Sequence, residues 1–174
     1  MAIVAQGGTI TQELWDSITL GAADVEATLF TVPLGQAAKT LYDTNMRQGG
    51  QLPKGWDFNI MALSFHVEAD TAVALAIALA KGTYELHVSD KVWNEGLLLT
   101  LPSGGGVSFD SDGAVAATLA TRFGTPVSNN LKQLSRAIPL KEAEGFRVDF
   151  RWPTAPTAVQ FWFVLHGELQ RGLN

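Results

Sequence analysis

The chain has 174 residues, 47% of them hydrophobic and only 17% charged, with a formal net charge of −5 and no cysteine. This length suits one domain over 1–174 with a sizeable core. An acidic chain with no basic run excludes a nucleic-acid surface, and the missing thiols exclude both a disulfide framework and a thiolate metal site.

In chain order, MAIVAQGGTI (1–10) lacks the basic segment and long apolar stretch of a signal peptide, so synthesis in the host cytoplasm is expected. Apart from a weak strand near 3–10, residues 1–24, with Trp15, show little periodicity and read as an N-terminal arm. VEATLFTVP (25–33) alternates Val25, Ala27 and Leu29 as a strand does and stops at Pro33; a weaker piece lies near 36–42. QGGQLPKGW (48–56) is a loop, with Pro53 at the second and Gly55 at the fourth position of a type I turn. It leads into FNIMALSFHV (58–67), whose long apolar run marks a central strand.

ADTAVALAIALAKG (69–82) carries helix signals instead: Asp70 or Thr71 to cap it, Ala and Leu within, Lys81 and Gly82 to stop it. Its nine-residue apolar run is short of the roughly 20 residues a membrane span needs. Further strands are expected at TYELHV (83–88), GLLLTLP (96–102), AVAATLA (114–120), FRVDFRWP (146–153) and AVQFWFVLHGELQ (158–170). In FRVDFRWP, Phe146, Val148, Phe150 and Trp152 take one face, and Arg147, Asp149 and Arg151 the other. In the last strand, Phe161 and Phe163 join the core, while Trp162 and Val164 point outward beside Arg147 or Arg151 of a neighbouring strand. About eight short strands, regular turns and one short helix predict an all-β antiparallel sandwich or barrel.

No residue cluster announces catalysis. His66/Glu68, His87/Glu85 and His166/Glu168 each share a strand face. A cupin-like metal enzyme would need the three histidines to converge, yet the His-x-His element of cupins is absent. Ser103 has no Gly-x-Ser-x-Gly elbow, the GGG at 104–106 has no following Gly-Lys-Ser/Thr, and the DSD at 110–112 lacks the other oxygen ligands of a calcium loop. No enzyme, no metal and no cofactor is expected. Tryptophans are the other candidates, since exposed Trp serves interfaces or sugar platforms. Trp56, Trp93 or Trp162 would stack a sugar in a carbohydrate-binding or receptor-binding module, or each could lie under a loop of its own chain.

The succession LPKGWDFNI (52–60), an apolar helix-like insert, and the closing strands FRVDFRWP and AVQFWFVLHGEL resembles the single jelly-roll capsid proteins of tailless icosahedral phages. Within that group the chain is most similar to the smaller major capsid protein of membrane-containing phages of thermophilic bacteria. The resemblance covers most of the chain in length and strand order. It implies an eight-stranded antiparallel jelly roll that assembles into the virion shell as a homo-oligomer, with a second capsid protein, over an internal viral membrane. Low charge agrees with that expectation, because weak self-repulsion favours association. The assembly contacts expected are Trp56 and Trp162 as anchors, Leu52 beside them, Trp15 on the arm, and Arg147 and Arg151 for pairing with a neighbouring strand or subunit.

Overall fold

The computed structural model describes residues 8–68, 73–101, 107–110, 120–123, 131–156 and 158–171. These form β1 (Thr9–Thr19), β2 (Glu26–Leu29), β3 (Trp56–Val67), α1 (Val73–Ala80), β4 (Thr83–Val88), β5 (Lys91–Leu97), β6 (Val107–Asp110), β7 (Ala120–Phe123), β8 (Lys132–Leu140), β9 (Phe146–Arg151) and β10 (Gln160–Arg171). The fold is all-β, as expected, with two antiparallel four-stranded sheets in the orders β1-β10-β3-β8 and β2-β9-β4-β5. β6 and β7 pair separately with each other.

The pairings nest. β4 pairs with β5 through a two-residue turn, and outside that hairpin β3 pairs with β8, β2 with β9 and β1 with β10. Ser89 and Asp90, the turn residues, both have positive φ, as the hairpin turn that matches strand twist requires. The two sheets meet through the predicted Phe set. Phe150 of β9 packs edge-on against Phe161 and Phe163 of β10, with ring centroids 5.2 and 5.4 Å apart. Phe146, Val148, Phe150, Phe161 and Phe163 are all buried in one core. Alternation explains this, since every second residue of a half-buried strand faces the same layer.

Several expectations change. β9 and β10 are not neighbours: they lie in opposite sheets, so Arg147 and Arg151 sit on the far side of the sandwich from Trp162. Residues 9–19 are no arm but β1, paired with β10 along its whole length. The strand placed at 96–102 runs at 91–97 and ends in a single 3₁₀ turn, Leu98–Thr100. Residues 36–42 form turns, with Ala37 and Ala38 both at positive φ. β8 has no counterpart among the expected strands. The helix covers 73–80, and Asp70 and Thr71, its proposed caps, lie outside the described residues, as do 104–106, most of 114–120, and Ser111 and Asp112. No helix among the described residues is long and apolar enough to cross a membrane.

Candidate functional site

The outer face of the β1-β10-β3-β8 sheet concentrates the polar chemistry. Register places Glu13, His166 and Ala62 in one row across β1, β10 and β3, then Trp15, Val164 and Ser64, then Ser17, Trp162 and His66. His166 leans along the strand to Ser64, its Nε2 2.7 Å from Oγ, while its Nδ1 lies 3.0 Å from Glu13 Oε1. His66 reaches the same hydroxyl from two residues further along β3, with Nε2 3.1 Å from Oγ. Ser64 is 0% exposed. A four-membered chain, Glu13–His166–Ser64–His66, therefore ties three strands together. Burial pushes both imidazoles below the ordinary histidine value; for His66 the neighbouring His166 acts in the same direction, and Glu13 opposes it at both rings.

Beside this chain, residues 40–45 fold over the β1 edge. Trp15 N–H donates to Asn45 Oδ1, Asn45 N–H donates back to the Trp15 carbonyl, and Asp16 and Thr44 form a β-bridge. An edge strand's free backbone groups are thereby occupied. The loop then crosses the outer face: Trp15 Nε1 donates to the Leu41 carbonyl at 3.1 Å and Trp162 Nε1 to the Tyr42 carbonyl at 3.0 Å. The Tyr42 ring stands edge-on to Trp162, centroids 5.1 Å apart. Asp43 accepts from Thr40 N–H, from the Thr40 hydroxyl and from Gln160 Nε2, and the Thr40 N–H above all holds its carboxyl below the usual value. Trp15 and Trp162 are thus covered by their own chain, and the Tyr42 ring, 67% exposed, is what faces outward.

Underneath, Asp16 is buried and accepts from Phe30 N–H and from Lys39 Nζ, both at 2.5 Å. Burial raises its carboxyl above the ordinary value, while Lys39 and the Phe30 N–H act against that shift. The turn at 36–39, with Ala37 and Ala38 left-handed, delivers Lys39 to this acid.

The opposite outer face carries a ladder of charge. Arg147 Nε lies 2.9 Å from Asp149, Asp149 accepts from Thr28 at 2.8 Å, and His87 Nε2 stands 3.1 Å from Glu85 and 3.4 Å from Asp149. Arg151 sits between Glu26 and Glu85 at 3.6 and 3.9 Å. Arg147 and Arg151 therefore have carboxylate partners within the chain. His87 lies in a different sheet from His66 and His166, so the convergence a cupin-like site needs does not occur. Among the described residues no group of three or more His, Asp or Glu is placed to hold a metal ion.

Of the other expected contacts, Leu52 is a core residue, 2% exposed and bridged through its backbone to Glu142, so it offers no surface. Trp56 is half-buried between two guanidiniums, Arg171 at 4.4 Å and Arg47 at 5.4 Å from the ring centroid. Large apolar groups left outside include Trp93 at 46%, Leu97 at 50% and Leu99 at 74% on and after β5, and Leu41 and Tyr42 on the loop. Sequence reasoning missed Ser64 and Glu13 as histidine partners. Ser64-x-His66 shared a strand face in the sequence itself, but Glu13 and His166 meet only through the β1–β10 register. Compared with known protein families, with curated proteins and with solved structures, the chain matches none.

Proposed function

We propose that the chain is a single jelly-roll structural protein that assembles with copies of itself into a shell, in the manner of the small phage capsid proteins it resembles in sequence. The observation that carries the reading is the nested pairing of β1 with β10, β2 with β9, β3 with β8 and β4 with β5. A four-ladder hairpin rolled into two facing sheets is the plan of a jelly roll, with β6 and β7 as an insertion between the fifth and sixth strands of the roll. Capsid proteins, lectins and cupins share that plan, so the step to a shell rests on surface as well as topology. The exposed Trp93, Leu97 and Leu99 gather on and beside edge strand β5, and exposed apolar groups that cluster mark contact with another chain. On this reading β5 meets a neighbouring subunit, Tyr42 takes the outward role expected of Trp162, and a second capsid protein and an internal membrane complete the particle.

Sedimentation velocity over a concentration series, with electron microscopy of the same samples, tests the proposal. The wild-type chain should associate at micromolar concentration. Trp93→Ala with Leu99→Ser should weaken association by hot-spot magnitudes, about 2 kcal/mol or more, without changing the melting temperature of the monomer. A wild-type chain that stays monomeric at high micromolar concentration ends the assembly reading.

A further inference from the structure

The Glu13–His166–Ser64–His66 chain is more specific than a structural polar contact requires. Two imidazole Nε2 atoms converge on a single hydroxyl, at 2.7 and 3.1 Å. A hydroxyl has one proton to give and two lone pairs to receive with. Glu13, an acceptor when ionised, accepts a hydrogen bond from His166 Nδ1–H, which leaves the His166 Nε2 lone pair to accept from Ser64 O–H. Ser64 Oγ can then accept only a proton-bearing nitrogen, the Nε2–H of His66. With both rings neutral, every contact is satisfied and all hydrogens run in one direction.

A first extra proton is accommodated in either of two ways. His66 can take it on Nδ1 and keep donating from Nε2. Alternatively His166 can take it on Nε2, and the chain reverses: His66 shifts its proton from Nε2 to Nδ1, His166 donates to Ser64, and Ser64 donates to His66 Nε2. The second proton has no such solution. Two Nε2–H donors and two cations would then face one hydroxyl whose own proton has lost its acceptor, and Glu13, the carboxylate in contact with His166, carries one charge against the two. Groups coupled this closely titrate as a pair, in two separated steps.

We propose that this chain is an acid-operated latch across β1, β10 and β3, closed with zero or one extra proton and forced open by the second. Charged groups stand on each element around it. Glu13 comes from β1; Glu168 lies two positions beyond His166 on β10, and Glu68 two positions beyond His66, just past the end of β3. Lys132 of β8 is turned to the Tyr84 hydroxyl at 2.8 Å. From the covering loop, Lys39 is held by Asp16, and Asp43 by Thr40 and Gln160. His66 shares its row with Trp162, on which the 40–45 loop rests, so opening the latch bears directly on that loop. The same distances fit a serine–histidine–carboxylate triad. Ser64, however, has no accessible surface and cannot meet a substrate, so the latch is the use this geometry admits.

The sign follows from burial. Both rings hold protons less readily in the fold than in the unfolded chain, so stability is full above the unfolded histidine value of about 6.5 and declines as pH falls below it. The latch works within one chain, whatever that chain assembles into. The test is an ¹⁵N-imidazole NMR titration of the wild-type protein, with His87→Gln identifying the third ring, alongside thermal melts from about pH 8 to 4.5. The expected result is two steps for His66 and His166 at least about one pH unit apart, with the melting temperature falling as the pH drops from about 6.5 to the lower step. In Ser64→Ala the two steps should merge toward a common value. Two wild-type rings that titrate independently at the ordinary histidine value, or a melting temperature flat through their titration, would overturn the proposal; either is read from the wild type alone.

Discussion

Phe150 shows how much one side chain carries. It stands where the two sheets meet, touching Phe161, Phe163 and the parallel ring of Trp152. Phe150→Ala should cost about 3–5 kcal/mol, the range for a buried Phe that leaves a cavity, measured by urea denaturation with unchanged m-value. Asp16 raises the same question for charge. It is buried with Lys39 as its cationic partner, and a buried pair that loses one member leaves an uncompensated charge. Lys39→Met should destabilise by about 3–5 kcal/mol, whereas the double variant Lys39→Met/Asp16→Leu should recover part of that loss. Equal stability of the single and double variants in a chemical melt would mean that the pair is not coupled.

Elements depend on a few backbone devices. The β10–β3 ladder shifts register between His166 and Gly167, opposite Ala62 and Ile60. A bulge of this kind re-aims side chains on either side, and here it lets His166 lean toward Ser64. Gly167 is required at that point, because a Cβ there would collide with the Asn59 carbonyl. Gly167→Ala should therefore cost about 1–3 kcal/mol, as overpacking does, and should also disturb the His166 imidazole resonances. Circular dichroism melts and the His spectrum check both halves. A variant as stable as wild type would show that the backbone yields at no cost. At the sandwich end, α1 is tied down by Trp152, whose Nε1 donates to the Leu79 carbonyl at 2.8 Å. The helix ends against this bond, which its own residues do not supply.

On the scale of the molecule, nested pairing makes most ladders long-range: β1 and β10 open and close the described chain, and the pairings between consecutive strands are β4–β5 and β6–β7. Non-local sheets fold slowly, because loop closure must precede the contacts that reward it. Refolding followed by tryptophan fluorescence should thus fall in the range of milliseconds to seconds. A microsecond phase carrying the whole amplitude would contradict the nested order. Acidification adds a second whole-molecule signature, since loss of the His66–His166 latch acts on the sheet that contains both ends of the nest.

Strand identity, the helix and the core were legible in the sequence wherever alternation was clean. TYELHV, FRVDFRWP and the Phe set of the last strand needed only the two-residue period of a pleated chain and the preference of Phe and Val for burial. β1 and β8 were not legible, because an edge strand exposes part of its length and its polar residues blur the alternation: TITQELWDSIT and KQLSRAIPL. Which strands adjoin was beyond the sequence as well. Period two states which face a residue takes and is silent about its neighbour across the ladder, so the sequence suggests Arg147 beside Trp162 although the two lie on opposite surfaces. Tertiary structure alone decided that His66, Ser64, His166 and Glu13 form one chain while His87 stands apart, because register, bulge and long-range pairing arise from packing two sheets and not from any local run of residues.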